Sequence, residues 1–161
     1  MFKQEVAARS ARWIAVCFAV LFAAACAQNK TDGLSSNVQP GTGQDFVVNV
    51  GDRVFFEEDQ STLTAQGQST LGNQAKWLNK FSQYTITVEG HADERGTRQY
   101  NIALGARRAQ AARDYLVAQG VSASRIKTIS YGKERPVAVC NDNSCWSQNR
   151  RAVTVLNNAT N

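Results

Sequence analysis

The densest run of reactive side chains is His91-Ala92-Asp93-Glu94-Arg95, closed by Gly96. An imidazole, two carboxylates and a guanidinium in one turn suit metal ligation, acid–base catalysis or recognition of a charged ligand. A metal site needs more ligands than this run offers, and His91 is the chain's only histidine, so neither metal nor cofactor is expected. No nucleophile is set beside the histidine in a recognisable pattern, so no enzymatic activity is expected either. Recognition remains. Further along, Arg107-Arg108 is followed one turn later by the small Ala111 and Ala112, which places Arg108 on an inward side. A buried guanidinium needs an acidic partner or an anionic ligand, and Asp93 is the natural candidate. Two arrangements satisfy this. One is a structural Asp93–Arg108 ion pair. The other is a clamp for a zwitterion, in which the carboxylate takes an ammonium and the arginine fork takes a carboxylate. The residues alone leave both open.

These side chains need elements to hold them. FVVNV (46–50) and RVFF (53–56) read as two short strands around Gly51-Asp52. Residues 62–81 place Leu63, Leu71, Ala75, Leu78 and Phe81 at mostly helical spacing. YTITVEG (84–90) alternates and is β-branched, so it reads as a strand ending at the HADER turn. Residues 98–119 read as helical with Gly120 as the stop. Gly105 is expected to break that stretch, putting Arg108 in the first turn of a second helix. RIKTIS (125–130) and RAVTVL (151–156) supply two more strands. Strands alternating with helices predict an α/β two-layer sandwich, helices on one small mixed sheet. Ligands in such folds sit at strand ends.

The N-terminal region has a different character. Lys3, Arg9 and Arg12 precede the wholly apolar residues 13–25, the pattern of a secretory signal. Ala23-Ala24-Ala25-Cys26 resembles the lipobox of bacterial lipoproteins, with Ala23 standing where that family usually has Leu. The resemblance implies cleavage before Cys26 and lipidation of Cys26, and Ala27 implies sorting to the outer membrane. Stable anchoring by acyl chains takes at least two of them. Residues 27–44 are rich in Gly, Ser, Thr, Asn and Gln and read as a tether with a typical reach of roughly 20–25 Å. The expected organisation is a signal at 1–25, a lipidated cysteine and tether at 26–44, and one domain at 45–157. The chain has 43% hydrophobic and 19% charged residues and a net charge of +5, part of it in the signal. That is too mild, and too scattered, for a nucleic-acid partner.

EGHADERGT, YNIALGARRA, YGKERP and NRRAV, in that order, resemble the OmpA-like peptidoglycan-binding domains, and among them the peptidoglycan-associated lipoproteins of Gram-negative bacteria. The resemblance spans roughly residues 50–156 and implies a small α/β sandwich. It implies that Asp93 and Arg108 hold the diaminopimelate of the peptidoglycan stem, whose side-chain end carries a free ammonium and carboxylate. It implies that Leu104 packs on that ligand and that Asp59 contacts it. Glu58 stands where relatives have an aromatic residue, so this chain departs from the family there. Asn101 and Arg150 are expected to shape the loops, and His91 to be structural, bonding to backbone. TolB and other Tol proteins are the implied partners beside the cell wall, and the TolB surface overlaps the peptidoglycan site.

Cys140 and Cys145 are the one intramolecular pair left once Cys17 and Cys26 are accounted for. They are either a disulfide, which an oxidising compartment permits, or two free thiols. Trp77, Trp146, Phe55 and Phe56 read as core or rim packing.

Overall fold

The computed structural model describes residues 38–157. The export signal, Cys26 and the tether as far as residue 37 lie outside the described residues. Among those described, no helix is long and apolar enough to cross a membrane.

Residues Gly43–Asp45 form a short helix, α1, capped by the Thr42 hydroxyl and continued by a π-helical turn, Phe46–Val50. This overturns the strand expected at 46–50. Phe46 is buried against the Trp77 ring, 5.0 Å between centroids, and this packing outweighs the local β-propensity of Val47 and Val48. The last residues assigned to the tether are also ordered. Gly41 donates to Asp45 Oδ2, and its carbonyl accepts from the Tyr84 hydroxyl.

Strand β1 (Arg53–Phe55) leads to α2 (Ala65–Lys80), which begins at the Thr64 cap. Strand β2 (Ile86–His91) runs into the HADER turn. Helix α3 (Arg98–Ala118) starts at the Thr97 cap and is unbroken. Gly120 follows it at φ +92°, as a stop residue should. A 3-10 turn, Ala123–Arg125, opens β3 (Ile126–Gly132). A short helix, α4 (Asn143–Asn149), precedes β4 (Arg151–Leu156). α4 has no counterpart among the elements expected from the sequence.

The sheet order is β1-β4-β2-β3. β2 and β3 are parallel, joined through α3, and β4 is antiparallel to both β1 and β2. It is the mixed sheet that the alternation of elements predicted. One core fills the space between sheet and helices, with Leu71, Leu78, Ile86, Val88, Ala109 and Leu116 at its centre.

Gly105 does not break α3. It is the point where α3 touches β2. A Cβ at Gly105 would sit 2.8 Å from the Gly90 carbonyl oxygen and 2.4 Å from Ser130 Oγ, and a Cβ at Gly90 would sit 1.8 Å from the Gly105 oxygen. Two glycines let helix and strand backbones meet, a role of residues without Cβ. Arg108 therefore lies well inside α3, away from any helix N-terminus.

Candidate binding cleft

Asp93 and Arg95 follow β2 directly, in a turn closed by Gly96 at φ +85°. Glu58 and Asp59 lie in the turn after β1, where Asp59 adopts a left-handed φ of +55°, a conformation aspartate tolerates better than most residues. Tyr100, Asn101 and Leu104 come from the first turns of α3. These three segments enclose a cleft of about 280 Å³ lined by Glu58, Asp59, Asp93, Arg95, Tyr100, Asn101 and Leu104. It thus gathers Asp93, Asp59, Leu104 and Glu58 from the sequence reading. A larger hollow of about 580 Å³ lies beside β1. Its arginines are committed elsewhere, Arg53 to Asp52 and Arg150 to the Phe56 carbonyl.

The Asp93 carboxylate is almost buried and strongly held. Its Oδ1 accepts from the Arg95 backbone N–H and Nε, both at 3.1 Å, and its Oδ2 accepts from Arg95 Nη2 at 2.8 Å. Arg150 Nη1 adds a longer contact at 3.5 Å. Burial alone would raise the Asp93 pKa, but the hydrogen bonds and charge of Arg95, with Arg150, hold it below the ordinary carboxylate value. Arg95 also reaches Glu58 Oε1 at 2.7 Å, so it spans the cleft between two acids. The Tyr100 hydroxyl donates to Asp59 Oδ1. Asn101 Nδ2 donates to the Arg95 carbonyl at 2.7 Å and fixes the turn.

Arg108 is not exposed at all. Its Nε donates to the Gln60 carbonyl at 2.8 Å, Nη1 to the His91 carbonyl at 2.8 Å, and Nη2 to the Glu57 carbonyl at 3.1 Å. The guanidinium lies 5.2 Å from the Phe56 ring centre. It thereby ties the turn after β1 to the end of β2. Burial pushes its pKa down to about 10, with the negative charges of Asp93 and Asp59 opposing that shift. The direct Asp93–Arg108 ion pair does not form. Asp93 pairs with Arg95 and Arg150 instead, because Arg95 is two residues away in the same turn. Nor does Arg108 present an open fork to solvent, because backbone carbonyls take up its nitrogens.

His91 is buried, as a structural residue should be, but its ring does not bond to backbone. Neither ring nitrogen has a hydrogen-bond partner. Burial, reinforced by Arg151, Arg135 and Arg53, lowers its pKa to about 4, so the ring is neutral at pH 7. It stacks near Tyr131, 5.6 Å between centroids. Only its main-chain carbonyl serves the site, through Arg108.

Three contributors went unassigned from sequence: Arg95, Tyr100 and Trp146. Arg95 had a signal, its two-residue spacing from Asp93. Tyr100 had none, since its acid partner is distant in the chain. Trp146 was expected as core or rim packing, and the Arg95 guanidinium carbon lies 4.1 Å from its ring centre. Cys140 and Cys145 form a disulfide, Cα atoms 5.6 Å apart, and α4 begins between them. Of the other aromatics, Phe56 and Trp77 are core while Phe55 is half exposed.

Residues 55–152 match the OmpA family. The chain is 61% identical, over 88% of its length and 89% of the relative's, to a peptidoglycan-associated lipoprotein of Mesorhizobium japonicum. The chain belongs to the OmpA family, among the peptidoglycan-associated lipoproteins. A second such relative, from Rhizobium meliloti, is 68% identical over 74% of this chain and 68% of its own. The crystal structure of the peptidoglycan-associated lipoprotein from Burkholderia pseudomallei superposes with a TM-score of 0.67 at 37% identity, covering 70% of this chain and 98% of that one. The cleft of this OmpA-family domain falls within the matched residues.

Proposed function

We propose that this chain is a lipid-anchored protein of the outer membrane that holds peptidoglycan non-covalently from the periplasmic side and performs no reaction on it. The observation that carries the reading is the cleft at the end of β2, where a buried, charged Asp93 lies among Arg95, Arg150 and Arg108. A diaminopimelate side chain ends in an ammonium and a carboxylate. Asp93 takes the ammonium. The carboxylate goes to Arg95, the one arginine lining the cleft, while Arg108, buried behind the turn, braces the carbonyls that shape it. Leu104 packs on the methylene stem, and Asp59 and Glu58 border the opening. Cys26 carries the lipid, so membrane and wall share one short tether, and many copies together hold more firmly than one. Family membership supports the wall end of this reading, and the relatives' names support both ends. TolB and other Tol proteins are proposed partners, competing with the wall for the same surface.

The burial of Arg108 favours a second reading, in which the charged cluster is structural and binds nothing. Calorimetric titration of the full chain in detergent separates the two. A muropeptide containing diaminopimelate binds, while its lysine analogue, which lacks the distal carboxylate, binds at least about tenfold more weakly, a difference of about 1.4 kcal/mol. Equal binding of the two muropeptides, or none of either, overturns the clamp.

A further inference from the structure

One wall of the cleft is set by an element that carries none of its acids. The Arg95 guanidinium, which bridges Asp93 and Glu58, lies over the Trp146 ring. The Trp146 indole N–H donates to Glu94 Oε1 at 3.1 Å, so this one ring meets two neighbouring residues of the HADER turn. Trp146 belongs to α4, a helix of seven residues, too short to persist without outside support. That support is visible. Asp142 caps it through Ser144 N–H at 2.7 Å. The buried Asn149 amide accepts from Val137 N–H and donates to the Ala138 carbonyl. The Cys140–Cys145 bridge ties the incoming chain to the residue before Trp146. Arg150, just past the helix, reaches back to Asn143 Oδ1 and across to Asp93 Oδ2. From α4 and the residue after it, one contact goes to Arg95 and one to Asp93.

We propose that α4, locked by the Cys140–Cys145 disulfide, is the positioning element of the cleft, and that Trp146 is the residue through which it holds Arg95 in place. The indole face attracts the cation and restricts a side chain that would otherwise lose much rotamer freedom on meeting a ligand. The disulfide acts on binding through this path, although neither sulfur touches the cleft. The inference rests on the clamp reading above for its effect on affinity, but the hold of Trp146 on Arg95 exists without ligand and is measured without it.

The test uses the full chain in detergent, with two readouts: binding of the diaminopimelate muropeptide, and NMR titration of the Asp93 carboxyl in ligand-free protein. Trp146→Leu and the Cys140→Ser/Cys145→Ser pair should each weaken binding roughly two- to fivefold, the range of an exposed cation–π contact. Both should also let Asp93 titrate closer to the ordinary aspartate range, because a loosened Arg95 protects its charge less. Trp146→Phe, which keeps a ring face but no indole N–H, should restore both readouts; a role resting on the N–H bond to Glu94 would not be rescued this way. Added to Arg95→Ala, Trp146→Leu should cost nothing further. Wild-type binding and Asp93 titration in Trp146→Leu, or full additivity with Arg95→Ala, overturns the proposal. If the parent chain binds no muropeptide while Asp93 still shifts in Trp146→Leu, the wall-binding reading fails and the positioning role stands.

Discussion

Arg108 holds together the segments on either side of it from within the core. It is the largest fully buried side chain of the domain, and carbonyls of Glu57, Gln60 and His91 converge on it. Hydrogen bonds to a charged donor are worth about 1.5–3 kcal/mol each, and leaving a buried carbonyl without its donor costs on a similar scale. Arg108→Ala should therefore lower unfolding stability by at least about 3 kcal/mol, read by denaturant titration. Arg95→Ala should cost less, about 1–2 kcal/mol, because Arg95 is partly exposed and Asp93 keeps the backbone N–H of residue 95 and Arg150. Comparable losses in both variants would show that Arg108 is not the brace described. The contrast matters for function, since weakened wall binding in Arg108→Ala has to be normalised to folded protein.

At the scale of elements, the site depends on how closely α3 approaches β2. Gly90 and Gly105 set that approach, and the Ser130 hydroxyl donates to the Ile102 carbonyl of α3 at 2.7 Å nearby. Asp93 follows the strand side of this contact, while Leu104 and Arg108 flank it on the helix. Gly105→Ala forces a methyl against the Gly90 carbonyl and Ser130 Oγ. Overpacking of this kind costs about 1–3 kcal/mol, and moving α3 outward would widen the cleft. The expected outcome is a lower melting temperature together with weaker muropeptide binding. Gly72→Ala is the control, because a Cβ there meets only the Tyr115 hydroxyl at 3.9 Å and alanine favours helix. It should be neutral or stabilising. A Gly105→Ala variant as stable as wild type would remove the close-contact account.

For the whole molecule, the shifts of His91, Asp93 and Asp45 each cost stability toward acid. His91 is lowered from 6.5 to about 4, so the unfolded chain takes up a proton that the folded chain refuses. Stability therefore falls as pH drops from about 6.5 toward 4. Asp93 and Asp45 are lowered as well, so their stabilisation is present above the unfolded aspartate value and lost below it. The two ranges meet near pH 4 and give one continuous acid limb. Chemical unfolding at a series of pH values should show that decline beginning near pH 6.5. A flat profile down to pH 4.5 would mean that the His91 ring accepts its proton within the fold.

The sequence by itself determined the order of most elements and the mixed sheet, because β-branched alternation in 84–90 and 151–156 and helical spacing in 62–81 are local signals. It also marked Asp93, through the charged HADER turn at the end of a strand, whereas Glu58 and Asp59 were indicated only by resemblance to a family. Tertiary structure decided the rest. Residues 46–50 became helical because Phe46 had to reach Trp77. Gly105 continued a helix instead of breaking it because a facing glycine made room for it. Asp93 chose Arg95 over Arg108 because Arg95 was nearer and three carbonyls had already taken up Arg108. Trp146 met Arg95 across 51 residues of chain, and no local pattern announces a partner so distant. Propensity and spacing act between near neighbours, whereas the choice among competing partners for a buried charge is made only when the whole chain has packed.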